Sequence, residues 1–274
     1  MSEPTHHQLR TSKLVRISSR DKDPESTSKY DLHVSFNDYM LHQARRVLLK
    51  SIHIPNTAYN VNKHNNTIVY DTGFGNIGFK VTPGQYNLTE LADQLIVQFA
   101  TQPVPVTLTY TIDTAQTKLI LTFAGGITVS TEGSINGILG IDTEADSVFP
   151  AGISTILPNI FDLSGLKKVF IGSHALAKGT TMTSSNKIHK NIFTEIPIEV
   201  TYGSIQHRTL SDLHTSDEVT HSTPFNVSNM DITLYDQDLR VIDLNGRDWQ
   251  MVLKNLMVSM NQTSIFLALK CTKN

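Results

Sequence analysis

Arg46-Val-Leu-Leu-Lys-Ser-Ile-His-Ile-Pro-Asn-Thr-Ala-Tyr59 reads as one long strand brought to a stop. From Val47 to Ile54, Leu48, Ile52 and Ile54 share one parity and so one face, because side chains alternate across a sheet. Pro55 has no amide hydrogen to give a ladder, and Pro55-Asn56 ends the strand. The flanking sequence has the same character. Leu32, Val34 and Phe36 alternate with polar residues over 31–36, and 67–70 and 77–81 form a strand pair around a Gly-rich turn. Residues 106–112 and 118–123 make a hairpin across Asp113-Thr-Ala-Gln116, and Gly125-Gly126 leads into a short strand at 127–129. Further strands are expected at 168–171, 193–202, 230–235, 249–257 and 264–269. In Phe193-Thr-Glu-Ile-Pro-Ile-Glu-Val200 the Thr, Ile, Ile and Val positions form a dry face.

One segment is clearly helical. Asn87 can cap it, Glu90 completes a capping box, and Leu88, Leu91, Ala92, Leu95, Ile96 and Phe99 make an apolar stripe. Residues 134–139 read as a short helical turn. Many short strands with one or two helices and no internal repeat indicate a mainly β chain, an antiparallel sandwich or jelly roll rather than a βαβ array. Residues 1–28, rich in Ser, Thr, His and charge, read as a flexible arm.

At 274 residues, 39% hydrophobic, the chain can bury a substantial core. Its net charge of -2 gives no global electrostatic case for nucleic acid or a membrane surface. The basic pairs Arg45-Arg46 and Lys167-Lys168 and the scattered Arg10, Lys13, Arg16, Arg20 and Lys22 form no basic–aromatic platform. A lone cysteine, Cys271, excludes an internal disulfide and points to folding in a reducing compartment. The sequons at Asn65, Asn87, Asn226 and Asn261 are then expected to stay unmodified. No apolar run reaches spanning length and the N-terminus has no apolar signal region.

The motifs that could carry chemistry fail on context. Gly73-Phe-Gly75-Asn-Ile-Gly78 fits the dinucleotide spacing, but a strand follows it where a helix must. His207, His214 and His221 recur every seven residues near Asp212, Asp217 and Glu218, a spacing wider than metal sites prefer, and His6-His7 is too short a pair. Asp231, Asp236, Asp238, Asp243 and Asp248 read as turn formers between strands. No nucleophile elbow, P-loop, zinc knuckle or H-E-x-x-H is present, so neither enzyme activity, metal nor cofactor is expected.

Taken in order, a set of phrases resembles the penton, or vertex, capsid proteins of virophages and polinton-like double-stranded DNA viruses. They are the Arg46–Tyr59 stretch, Val81-Thr-Pro-Gly-Gln-Tyr86, Lys118-Leu-Ile-Leu-Thr-Phe123, Gly137-Ile-Leu-Gly-Ile141 and Leu163-Ser-Gly-Leu-Lys-Lys-Val-Phe-Ile-Gly-Ser173. Ile17-Ser-Ser-Arg-Asp-Lys-Asp23 and Leu244-Asn-Gly-Arg-Asp-Trp249 are similar to the same group, so the likeness covers roughly 15–260. The resemblance implies a single jelly roll over 29–274 of eight antiparallel strands, with an α+β excursion inserted at about 77–141. It implies a virus structural protein, a homopentamer at each five-fold vertex of an icosahedral virion beside trimers of a double-jelly-roll major capsid protein. Assembly would take place inside the host cell, with minor capsid proteins or a host receptor as further partners. Tyr39, Tyr59 and Phe225 are candidate subunit-interface anchors, because aromatics are favoured there, while Trp249 is read as core. Two other functions fit a β-sandwich. One is a receptor- or carbohydrate-binding head using an aromatic beside the acids and amides of 226–238. The other is a carbohydrate-active enzyme using two of the late carboxylates.

Overall fold

Two five-stranded antiparallel sheets carry one part of the chain and two smaller sheets the other, in a computed structural model that describes residues 12–35, 41–177, 180–182, 189–209 and 218–257. The first unit joins Met1–Thr57 to Lys167–Asn274, and the second is Ala58–Leu166. In chain order the first unit opens with β1 (Ser12–Ser18), β2 (Asp31–Ser35) and β3 (Leu41–Pro55). The second unit follows with β4 (Thr67–Asp71), β5 (Asn76–Lys80), α1 (Leu88–Ala100), β6 (Leu108–Asp113), β7 (Lys118–Phe123), β8 (Ile127–Val129), α2 (Asn136–Leu139), β9 (Ser147–Phe149) and β10 (Thr155–Ile156). The first unit is then completed by β11 (Lys168–Gly172), β12 (Thr180–Met182), β13 (His189–Pro197), β14 (Ile205–Thr209), β15 (Glu218–Val227), β16 (Asn229–Tyr235) and β17 (Gln250–Met257).

Sheet one of the first unit runs β1-β17-β3, with β14 and β15 succeeding each other along the far side of β3; sheet two runs β12-β13-β11-β16-β2. Let β1, β2, β3, β11, β13, β14 with β15, β16 and β17 be strands one to eight. The sheets then read one-eight-three-six and two-seven-four-five, with β12 added at an edge. That order is a jelly roll. Its second unit is an insertion between the third and fourth strands, from residue 58 to residue 166, longer at both ends than the excursion expected at 77–141. The extension has a plain cause: β4, β9 and β10 all pair within the second unit.

The register of β3 corrects the face read from its sequence. Against β17, Ser51 pairs with Val252 and Leu49 with Leu253, so Lys50 is an extra residue; a second shift leaves Arg45 unpaired between Arg46 and Ala44. Each bulge resets the alternation. The inward face is therefore Ala44, Val47, Leu49, Ile52 and Ile54, opposite the buried Met251, Leu253 and Asn255, and Leu48, though also buried, lies on the other parity. A strict period of two cannot show this, because the inserted residue is invisible in the apolar pattern.

The flexible arm expected over 1–28 is also corrected. From Ser12 onward the chain is structured: β1 pairs with β17 along its whole length, and Val15 and Ile17 are buried. Two apolar residues at the spacing of a strand face suffice when a neighbouring strand offers the ladder. Elsewhere the expected elements recur with small shifts. β13 ends at Pro197 rather than running to 202, with Thr194 and Ile196 of its dry face buried. The expected strand at 264–269 lies outside the described residues.

The second unit packs α1 against two sheets, β5-β4-β8-β9 and β10-β7-β6, around one core. Asn87 accepts from the Glu90 amide and Glu90 accepts from the Asn87 amide, the capping box read from sequence. α2 ends at Gly140, whose φ of 85° belongs to the left-handed region. A Cβ there would also stand 2.4 Å from the Asn159 carbonyl oxygen. Gly140→Ala is expected to lose about 2 kcal/mol or more, since the αL conformation alone costs a side chain 1–2 kcal/mol. A fall in the denaturant midpoint of the second unit would register it, and an unchanged midpoint would contradict it.

Candidate assembly surface

Sheet one has two outer edges, and the sequence positions each with care. On one side lies β1, paired with β17; on the other β14, paired with β3. Leu14 on β1 is 62% exposed and Ile205 on β14 is 61% exposed. Each owes its exposure to parity: Val15 and Ile17 turn inward beside Leu14, and Gln206 is buried beside Ile205. Tyr202, just ahead of β14, is exposed as well. Strand edges that stay in solvent are usually short or charged, and here each outer edge of the sheet carries an exposed apolar side chain.

The β14 edge is anchored by the residue that ends β3. The Asn56 amide donates to Ser204 O at 2.8 Å, Asn56 Nδ2 donates to Val200 O at 2.8 Å, and Gly203 N donates to Asn56 O at 2.8 Å. Gln206 Oε1 accepts from Glu199 N at 3.0 Å. The Pro-Asn stop thus also holds the turn that launches β14.

The β1 edge is anchored by Asp248. Its Oδ1 accepts from Lys29 Nζ at 2.8 Å and Ser19 Oγ at 3.0 Å, and its Oδ2 accepts from Arg20 Nε at 2.7 Å. Ser19 exchanges two further bonds with Trp249, accepting its amide at 3.1 Å and donating to its carbonyl at 3.0 Å. Trp249 is core, and its Nε1 donates to Lys29 O at 2.7 Å. Hydrogen bonds from Lys29 and then Arg20 hold the Asp248 carboxyl well below the usual carboxylate range. A depressed carboxylate stabilises the fold above its unfolded pKa, and that contribution fades as pH falls below about 4. Asp248→Ala is expected to cost about 1–2 kcal/mol at neutral pH, discounted for the solvent reaching the site. The difference from wild type should shrink in acid; a pH-independent difference in urea unfolding would contradict the role.

The residues singled out in sequence are only partly placed. Tyr39 lies outside the described residues. Tyr59 is half-buried in the second unit and has contacts of its own. Phe225 pairs through its backbone with Ala44 on β3, its side chain outside the described residues. Tyr59 is not among the exposed apolar residues of either edge. Sequence reading missed Leu14 and Ile205, and the available signal was parity: each is the apolar residue on the wrong face of its strand.

The other constellations dissolve locally. The glycine triplet lies in the β4–β5 hairpin, where Asp71 Oδ1 accepts from Gly73 N at 2.7 Å and Gly75 N at 3.0 Å, and a strand follows. Asp236 Oδ1 accepts from the amides of Asp238 and Arg240, both at 2.9 Å, and burial raises its pKa. Asp231 Oδ2 lies 2.7 Å from His174 Nδ1, and Asp243 accepts from Asn245 N at 2.8 Å. Asp236 and Asp243 close their own turns, whereas Asp231, within β16, and Asp248 correct the turn-former reading by holding partners far along the chain, His174 for the first and Ser19, Arg20 and Lys29 for the second. The Tyr235 ring is covered by Lys190 Nζ, 4.8 Å from its centroid. His214, Asp212, Asp217 and Cys271 and the side chains of Glu218 and His221 lie outside the described residues. Among the described residues no three His, Cys, Asp or Glu side chains group so as to hold a metal ion, and no helix is long and apolar enough to cross a membrane.

The chain matches no family model, and no curated protein matches its sequence. Among solved structures it is similar to the selenomethionine-labelled mavirus penton protein, at 9% identity and a TM-score of 0.46 over 89% of this chain and 99% of that one. A likeness that slight carries no weight for function.

Proposed function

We propose that this chain is a vertex protein of an icosahedral virus capsid, five copies closing a ring through the two edges of sheet one. The observation that carries the reading is a jelly roll with apolar residues in solvent on both β1 and β14, opposite sides of one sheet. A closed ring needs a heterologous contact, one flank of a subunit against the opposite flank of the next, and two separately anchored edges supply two such flanks. The ordered phrases of the sequence, similar to virophage and polinton-like penton proteins, support the same assignment independently. On this reading the flanking partner is a double-jelly-roll major capsid trimer, Tyr39, Tyr59 and Phe225 add secondary contacts, and the site of action is the virion.

Solution mass tests the proposal. Sedimentation of the purified chain, alone or with its major capsid protein, should give a species five times the 30.5 kDa chain, and labelled protein should occupy particle vertices. A strict monomer that binds glycans and never enters particles would overturn it.

A further inference from the structure

His53 of β3 and His207 of β14 stand directly opposite each other in the antiparallel register. Their ring centroids are 4.2 Å apart and the planes are tilted by 49°. Opposite side chains on one face of a sheet start only about 5 Å apart at Cβ, which allows two rings to converge on one atom. The seven-residue spacing of His207, His214 and His221 is too wide for a metal site, whereas the fold brings His207 a companion from a strand 154 positions earlier, as the register pairs residue 207 with residue 53.

The surroundings select a ligand class. On the other side of His53 lies Gln250, whose Oε1 accepts from Arg16 Nη2 at 2.8 Å. Ser51 and Pro55 on β3, and Ile205 and Thr209 on β14, share the parity of the histidines and bring no carboxylate. Hard cations want several oxygen ligands, so calcium and magnesium do not fit; imidazole nitrogen suits zinc, copper and nickel. Thr209 Oγ1 lies 2.8 Å from His207 Nε2 and orients that ring as an outer partner, leaving Nδ1 for an ion.

We propose that His53 and His207 form a two-histidine site for a divalent late transition metal, linking edge strand β14 to β3. The ion keeps water in its remaining positions, and its binding is independent of the capsid assignment. The test is a zinc chloride titration of the full chain followed by the imidazole NMR signals. The His53 and His207 rings should respond together with one midpoint. His207→Ala should weaken the His53 response by an order of magnitude or more, and His53→Gln should do the same to His207, while His33→Ala leaves both unchanged. His207 is exposed, so its variant keeps the fold. Separate midpoints for the two rings, or a His53 response that survives in His207→Ala, would overturn the proposal.

Discussion

Phe99→Ala should open the core of the second unit, at a cost of about 3–5 kcal/mol. Phe99 sits at the centre of a chain of edge-to-face rings. Its centroid is 4.9 Å from Tyr70, 5.0 Å from Phe79 and 5.3 Å from Phe123, and Phe123 continues to Phe149 at 5.1 Å. Truncation removes three ring contacts at once, and α1 cannot collapse into the space without breaking its packing through Leu91 and Leu95. A domain is stable by only about 5–15 kcal/mol, so the loss is a large share of the total. The protein carries its own control, because the single tryptophan, Trp249, reports from the first unit. Amides of α1 and β7 should lose hydrogen-exchange protection while Trp249 emission under native conditions stays as in wild type. Unchanged protection in α1 would refute the central place given to Phe99.

The second large effect concerns assembly. Leu14→Glu and Ile205→Glu should each convert rings to monomers with little change in the unfolding midpoint, since exposed substitutions usually fall within about 0.5 kcal/mol. Mixing the two variants gives the sharper result. Leu14→Glu spoils the β1 flank and keeps the β14 flank; Ile205→Glu does the reverse. One sound contact can then form between unlike subunits and no second one, so the mixture should stop at dimers. A two-fold contact of like edges would instead leave one variant dimeric by itself, with nothing gained on mixing, and recovery of full rings would show that neither edge takes part.

Much of the fold was legible in the sequence. α1 announced itself through its capping box, and β7 and β8 fell where alternation and glycine placed them. These elements obey a local rule without interruption. β3 obeys it only between bulges, and nothing in an apolar pattern marks Lys50 as the residue that slips. β1 was read as an arm because Val15 and Ile17 make a short buried set; β17, more than two hundred residues away, completes the strand. β9, β10, β12 and β14 are short and take their structure from partners. The candidate site was less legible for the same reason. Parity exposes Leu14 and Ile205 only once their strands and registers are known, and His53 meets His207 only through the pairing of β3 with β14.

The inserted unit has one more consequence, for the order of events as the chain folds. Its two ends are tied to each other: Asn60 Nδ2 donates to Leu163 O at 3.3 Å and to Tyr86 O at 2.7 Å, and a Cβ on Gly165 would touch Asn60 Cβ at 3.4 Å. Closing a flexible loop of that length costs about 4 kcal/mol of chain entropy by logarithmic scaling, and β3 and β11 stand at its two mouths. If the insert folds first, the amide of Asn60 acts as a clasp, and the third and fourth strands of the jelly roll are delivered as near neighbours. The insertion then shortens the search of the fold it interrupts.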